Sequence, residues 1–219
     1  MSIVPSILTD SFLTLQQEVD AVKFSSGIEA VQIDVVDGQF ADNITVTPLD
    51  LTVGDYEPLK LDFHLMTEEP LDFVYECEAV RDYLPIRRIY GQIERMSSQA
   101  DFLWEVKANN WQAGLALDLF TPLESIDEDV WLELDYLLLM GVEAGAQGRT
   151  FHELALEKVQ EARQLAVGQR PLHILVDGGI KLTNVKKIFT VGADEVTVGS
   201  ELWTSPDPLL TLEKFTQIR

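Results

Sequence analysis

A chain of 219 residues, 46% hydrophobic and 24% charged, is long enough for one large folded domain with a sizeable core. Its 37 acidic and 16 basic residues leave a net charge of −21, which repels nucleic acid and anionic membranes and excludes both as expected partners. No apolar run reaches the roughly 18–20 residues of a membrane span, the opening MSIVPSILTD lacks an export signal, and the single Cys77 permits no internal disulfide, so a cytoplasmic location is expected.

In chain order, strands are predicted over 3–8 (IVPSIL), 30–35 (AVQIDV), 59–65 (LKLDFHL) and 86–93 (IRRIYGQI). Further strands follow over 112–118 (QAGLALD), 134–140 (LDYLLLM), 172–177 (LHILVD) and 195–200 (EVTVGS). Between them lie amphipathic segments: FLTLQQEVDAVKF, PLDFVYECEAVRDYL, where Cys77 reads as a packing thiol, and RTFHELALEKVQEARQLAV. In the last, Phe151, Leu154, Ala155 and Val159 form the apolar stripe of a helix over 149–167. Strand and helix alternating eight times predict parallel strands with crossover helices. Eight such units in one domain, residues 1–219, fit a (β/α)8 barrel near its lower size limit. The competitor is a doubly wound open sheet, and the lack of a G-x-G-x-x-G after the first strand weakens its dinucleotide-binding form.

Ser6, Asp34, His64, Asp177 and Gly199 all fall at or near C-terminal strand ends, the face on which a barrel assembles its site. Asp34 and Asp177, on the second and seventh strands, can face one ligand from opposing sides. Such a pair suits epimerisation, in which one carboxylate removes a proton and the other returns it from the opposite face. His64 joins them as a plausible metal ligand, since imidazole and carboxylate suit Zn, Fe(II) or Mn. Asp37, just before Gly38, reads instead as a turn residue. His152 reads as helix surface and His173 as a strand start. The glycine-rich VDGGI and VTVGSELW each end a strand and precede a helix, where backbone N–H groups meet an anion. GVEAGAQGRTF, with Gly145 and Gly148, is a third loop able to close over it.

Taken together, these segments resemble the ribulose-phosphate 3-epimerase family, over nearly the whole chain and in the family's order. VPSILTD is similar to the family's Pro-Ser-Ile-Leu, QIDVVDGQFADN to its His-x-Asp-Val-Met-Asp-Gly-x-Phe-x-x-Asn, and LDFHLM to its Asp-x-His-Leu-Met. LALDLFTPLESI is similar to its Leu-Asn-Pro-x-Thr-Pro segment, and ILVDGGI and GADEVTVGSELW to its closing phosphate motifs. The resemblance implies Asp34 and Asp177 as acid/base pair and metal ligands, with His64 a third ligand and Gln32 where the family has another metal-binding histidine. It implies Ser6, Met66 and Met140 against the substrate and Gly145, Gly148, Gly178, Gly179, Gly199 and Ser200 around its phosphate. A divalent metal, a small phosphorylated sugar as substrate and a homo-oligomer are the implied cofactor and partners. Val36 replaces a site methionine, the loop after the sixth strand loses a proline and a phenylalanine, and LALDLFTP lacks the usual Asn-Pro.

A neutral amide is a weaker ligand than imidazole for zinc or iron, so Gln32 should lower metal affinity. The leading expectation is 3-epimerisation of a ketose phosphate through a metal-stabilised enediolate. The alternative is a non-catalytic or metal-free sugar-phosphate-binding descendant. Aldol cleavage or decarboxylation on the same scaffold ranks last, because it calls for a lysine that no predicted strand end supplies.

Overall fold

Successive side chains along a β-run point to opposite faces, and in this chain the two faces carry different chemistry. The computed structural model describes residues 1–166 and 172–218. Among them, β1 (Ser2–Ile7), β2 (Ala30–Val36), β3 (Lys60–Met66) and β4 (Ile86–Gln92) are followed by β5 (Gln112–Leu117), β6 (Tyr136–Met140), β7 (His173–Asp177) and β8 (Glu195–Val198). Each pairs in parallel with the next, and β8 pairs with β1, so the sheet closes into a (β/α)8-type barrel with no free edge.

Outside the barrel lie α1 (Phe12–Val22), α2 (Pro70–Ala79), α3 (Gln99–Ala108) and α4 (Leu154–Leu165). They are followed by α5 (Val185–Thr190), α6 (Ser200–Trp203) and α7 (Pro208–Thr216). The alternation is less regular than the sequence suggests. After β2 the crossover is a single 3₁₀ turn, Pro48–Leu51, and after β5 two such turns, Leu123–Ser125 and Glu128–Val130, replace a helix. Both connections are interrupted by prolines and lack a continuous 3.6-residue apolar stripe, so no helix propagates there.

The predicted helix over 149–167 also starts later than expected, and its Val167 lies outside the described residues. Phe151 does not join its stripe. Its half-buried ring lies so close to Gly141 that a Cβ there would come within 2.6 Å of it, and a Cβ on Gly179 would meet the Phe151 backbone nitrogen at 2.6 Å. His152 is exposed, as expected, but on the segment before α4, where its Nδ1 accepts from the Leu154 N–H at 3.2 Å. Packing the ring on Gly141 and the Phe151 backbone on Gly179 competes here with one more turn of helix, and the packing wins.

Ile33, Val35, Phe63, Leu65, Leu115, Leu137 and Val196 face outward and bury against the helices in one continuous core. Inside the barrel a smaller core of Tyr90, Ala116, Leu138 and Leu175 fills the middle, and Met66 and Met140 extend it up to the strand ends. Polar layers lie below and above it. Below, Arg88 pairs with Glu195 at 2.6 Å, Arg87 grips Asp62 with two bonds of 2.8 and 2.5 Å, and the Arg88 guanidinium stacks over the Tyr136 ring at 4.2 Å. Every charge there has a partner, which is the condition for burying it. The layer above, at the C-terminal ends of the strands, is the candidate site.

Candidate active site

Parallel register, more than sequence proximity, assembles this upper layer. Asp34 lies opposite His64 across β2 and β3, Met140 opposite Asp177 across β6 and β7, and Asp177 opposite Thr197 across β7 and β8. Strand ends from both sides of the barrel then converge on one point. His64 Nδ1 lies 3.3 Å from Asp34 Oδ1 and 3.6 Å from Asp177 Oδ2. One donor atom from each of Asp34, His64 and Asp177 lies within 4.8 Å of the other two, and all three residues are buried. Two carboxylates and an imidazole at this spacing form a donor set for a divalent transition metal.

Gln32 holds the group from beneath. Its amide nitrogen donates to Asp34 Oδ1 at 2.7 Å and to Asp177 Oδ2 at 2.6 Å, while its carbonyl accepts from the Thr197 hydroxyl at 3.3 Å. The opposite amide orientation would set an oxygen lone pair against two carboxylates, so without a cation the nitrogen must face them. Gln32 therefore bridges the two acids through its N–H groups, and only a half-turn of the amide would offer its oxygen to a metal.

The charges shape each other. Burial, reinforced by the Asp177 charge, raises the Asp34 pKa above the carboxylate range despite the hydrogen bond from His64. Burial opposes the imidazolium of His64, but the hydrogen bonds and charges of Asp177 and Asp34 outweigh it and raise its pKa. On the far side of the ring, Gln92 Nε2 lies 3.1 Å from His64 Nε2, while the buried Gln92 Oε1 has no hydrogen-bond partner.

Asp37 is a turn residue, as its position before Gly38 predicts. One carboxylate oxygen accepts from the Gln39 and Phe40 N–H groups, the other from Glu68 N–H at 2.7 Å, and Gly38 sits at φ +79°. Burial alone would raise its pKa, but the backbone donors of Phe40, Glu68 and Gln39 outweigh it and hold it low.

Around the carboxylates, Ser6, Met66, Met140, Gly145, Gly148, Gly178, Gly179, Gly199 and Ser200 all line one cleft with Asp34, His64 and Asp177. Gly178 and Gly179 adopt φ +94° and +69°, which turns the chain sharply after β7. A Cβ on Gly199 would approach Ser6 Oγ to 2.7 Å, so the ends of β8 and β1 pack backbone to side chain. The loop after β6 is pinned in place. Asp118, in the segment without the family's Asn-Pro, accepts from Ala144 N–H at 2.8 Å, and Asn43 donates to the Gly145 carbonyl at 3.2 Å.

Three residues of the site escape a sequence reading. Gln92 and Thr197 follow the same signal as the others, a polar side chain at the end of an apolar strand, and Thr197 alternates with Glu195 on the inward face. Arg149 also lines the cleft, where it donates to the Glu143 carbonyl at 2.8 Å. Nothing in its local sequence marks it out.

Comparison with known proteins agrees with this geometry. The model of the ribulose-phosphate 3 epimerase family matches residues 2–203. Ribulose-phosphate 3-epimerase 2 of Cupriavidus necator is 32% identical over 211 residues, covering 94% of this chain and 85% of its own. Ribulose-phosphate 3-epimerase of Bacillus subtilis is also 32% identical, with 94% of each chain covered. Among solved structures, phosphoribosyl anthranilate isomerase from Thermus thermophilus superposes with a TM-score of 0.59 at 14% identity, over the whole of both chains. A 3-hexulose-6-phosphate synthase superposes with a TM-score of 0.61 at 11% identity, covering 97% of this chain and 96% of its own. At such identities the structural likeness carries the fold alone.

Proposed function

The chain belongs to the ribulose-phosphate 3-epimerase family, and we propose that it epimerises C3 of a ketose phosphate, ribulose 5-phosphate or a close relative. The observation that carries this reading is the convergence of Asp34 and Asp177 from β2 and β7 on one cleft, tied to one histidine and one amide.

With the substrate bound between the carboxylates, one of them takes the proton from C3. The electron pair left behind conjugates with the C2 carbonyl to give an enediolate. The other carboxylate then delivers a proton to the opposite face of C3, which inverts that centre and restores the ketone. Asp34, its pKa raised by burial, is suited to both gaining and losing a proton near neutral pH. Asp34, His64 and Asp177 would hold a divalent cation, for which Zn, Fe(II) and Mn are the candidates. When bound, that cation supplies positive charge against the enediolate oxygens. Ser6, Met66 and Met140 bound the space around the reacting carbons. The backbone N–H groups of Gly178, Gly179, Gly199 and Ser200 bind the phosphate, with Gly145, Gly148 and Arg149 on the loop above it.

A non-catalytic sugar-phosphate binder is not favoured, because the acid/base pair and its histidine are complete. The test is turnover of ribulose 5-phosphate by purified protein supplied with Zn, Fe(II) or Mn. Formation of xylulose 5-phosphate is expected; binding without turnover under every metal would overturn the proposal.

A further inference from the structure

Resting on the metal reading above, we infer that Gln92 is a positioning residue that fixes the ring tautomer of His64 through its own carbonyl oxygen. His64 turns Nδ1 toward Asp34 and Asp177 and Nε2 toward Gln92. With the Gln92 amide nitrogen facing Nε2, a neutral ring accepts there and carries its proton on Nδ1, aimed at the carboxylates; the imidazolium form likewise keeps Nδ1 protonated. A ring in that state has no lone pair to give a cation held by the same carboxylates. Ligation through Nδ1 requires the other neutral tautomer, with the proton on Nε2 and an acceptor in front of it.

Gln92 is fully buried on the last residue of β4, and its Oε1 is one of two buried side-chain polar atoms without a partner among the described residues. A half-turn about its terminal bond exchanges the two amide atoms. The unpartnered oxygen then accepts the Nε2–H of His64 and commits Nδ1 to the metal. No other residue is needed, and the histidine need not move. The amide of Gln32 makes the matching half-turn on the other side, so two glutamines, one beneath the carboxylates and one behind the histidine, present oxygen when a cation is bound.

The experiment has three readouts, none of them turnover. In zinc-loaded wild-type protein labelled with 15N-histidine, NMR should find His64 metal-bound at Nδ1 and protonated at Nε2. Zinc on Nε2, or an unprotonated Nε2, would overturn the inference without any variant. Zinc titration of Gln92→Leu should show affinity lower by about ten- to a hundredfold, whereas Gln92→Glu, which keeps an acceptor, should stay closer to wild type. Gln92→Leu also removes the amide nitrogen that faces His64 Nε2, so the metal-free variant should melt somewhat lower than wild type, and the discriminating quantity is the zinc-induced rise, which should shrink. Equal zinc-induced rises in wild type and Gln92→Leu would sink the tautomer role. If wild type itself binds no zinc, Fe(II) or Mn, the metal reading fails and this inference with it; if wild type binds and both variants match it, only the inference fails.

Discussion

Gln32 and Asp177 lie 145 residues apart in the chain, and the Gln32 amide nitrogen donates to the Asp177 carboxylate at 2.6 Å. A second bond from the same nitrogen, to Asp34 at 2.7 Å, joins both carboxylates of the proposed two-base mechanism through one neutral side chain. In the absence of a cation, the amide supplies the donors that keep two adjacent buried carboxylates tolerable. The neutral amide that stands where a stronger imidazole ligand is expected is thus the donor that holds the two acids together.

Gln32→Leu removes those donors and is expected to cost about 3 kcal/mol of stability in the metal-free protein, read by urea denaturation. Gln32→His should strengthen zinc binding by on the order of tenfold, about 1.4 kcal/mol, and raise turnover in step. Unchanged stability in the leucine variant would mean that the two carboxylates do not depend on this amide.

Asp34→Asn and Asp177→Asn each remove one base. Both variants should lose on the order of 10²- to 10⁴-fold in the exchange of the substrate C3 proton with solvent deuterium, followed by NMR. Retention of exchange in both would end the two-base mechanism.

Gly179 turns the chain after β7 at φ +69°, and a Cβ there would meet the Phe151 backbone nitrogen at 2.6 Å. Gly179→Ala should therefore cost about 1–3 kcal/mol through backbone strain and contact. It should also weaken binding of inorganic phosphate, measured by calorimetry, because the loop that presents the N–H groups must shift.

Arg149 lines the cleft beside the proposed phosphate grip, on a chain that carries a net charge of −21. Arg149→Ala should raise KM roughly tenfold with kcat nearly unchanged, as expected for loss of a charge-assisted contact equal in ground and transition states. An equal fall in kcat would move Arg149 into the chemistry.

Glu18 on α1 is half-buried, and burial raises its pKa from 4.5 to about 7. Between these two values the folded chain binds more protons here than the unfolded chain, so this residue's contribution to stability falls as pH rises. Its penalty is absent below about pH 4.5 and complete above about pH 7. Glu18→Gln should accordingly be more stable than wild type at pH 8, by about 1 kcal/mol after solvent screening. The difference should vanish near pH 4.5, as followed by thermal melts at the two pH values.

Most of the barrel was legible because its signals are local. Each of the eight strands is a short, largely apolar run, most of them rich in β-branched or aromatic residues, and Ser6, Asp34, His64 and Asp177 stand out as polar residues at apolar strand ends. Asp37 was separable from Asp34 because the glycine after it marks a turn. Phe151 was misassigned because its spacing to Leu154, Ala155 and Val159 suits a helix equally well. Only the close packing of its ring on Gly141 and of its backbone on Gly179, after β6 and β7, explains why it stays outside.

The sequence alone determined the order of strands, the residue types at their ends and the family, since periodicity, turn glycines and motif spacing are written along the chain. Tertiary structure alone decided which atom of each side chain faces which. Barrel closure and parallel register bring Gln32, Asp34, His64, Gln92, Asp177 and Thr197 into one hydrogen-bonded group. Hydrogen-bond direction inside a buried group depends on every neighbour at once, and those neighbours come from five different strands. From the sequence, Gln32 is a lost histidine. In the folded barrel it is the donor that holds the two acids together.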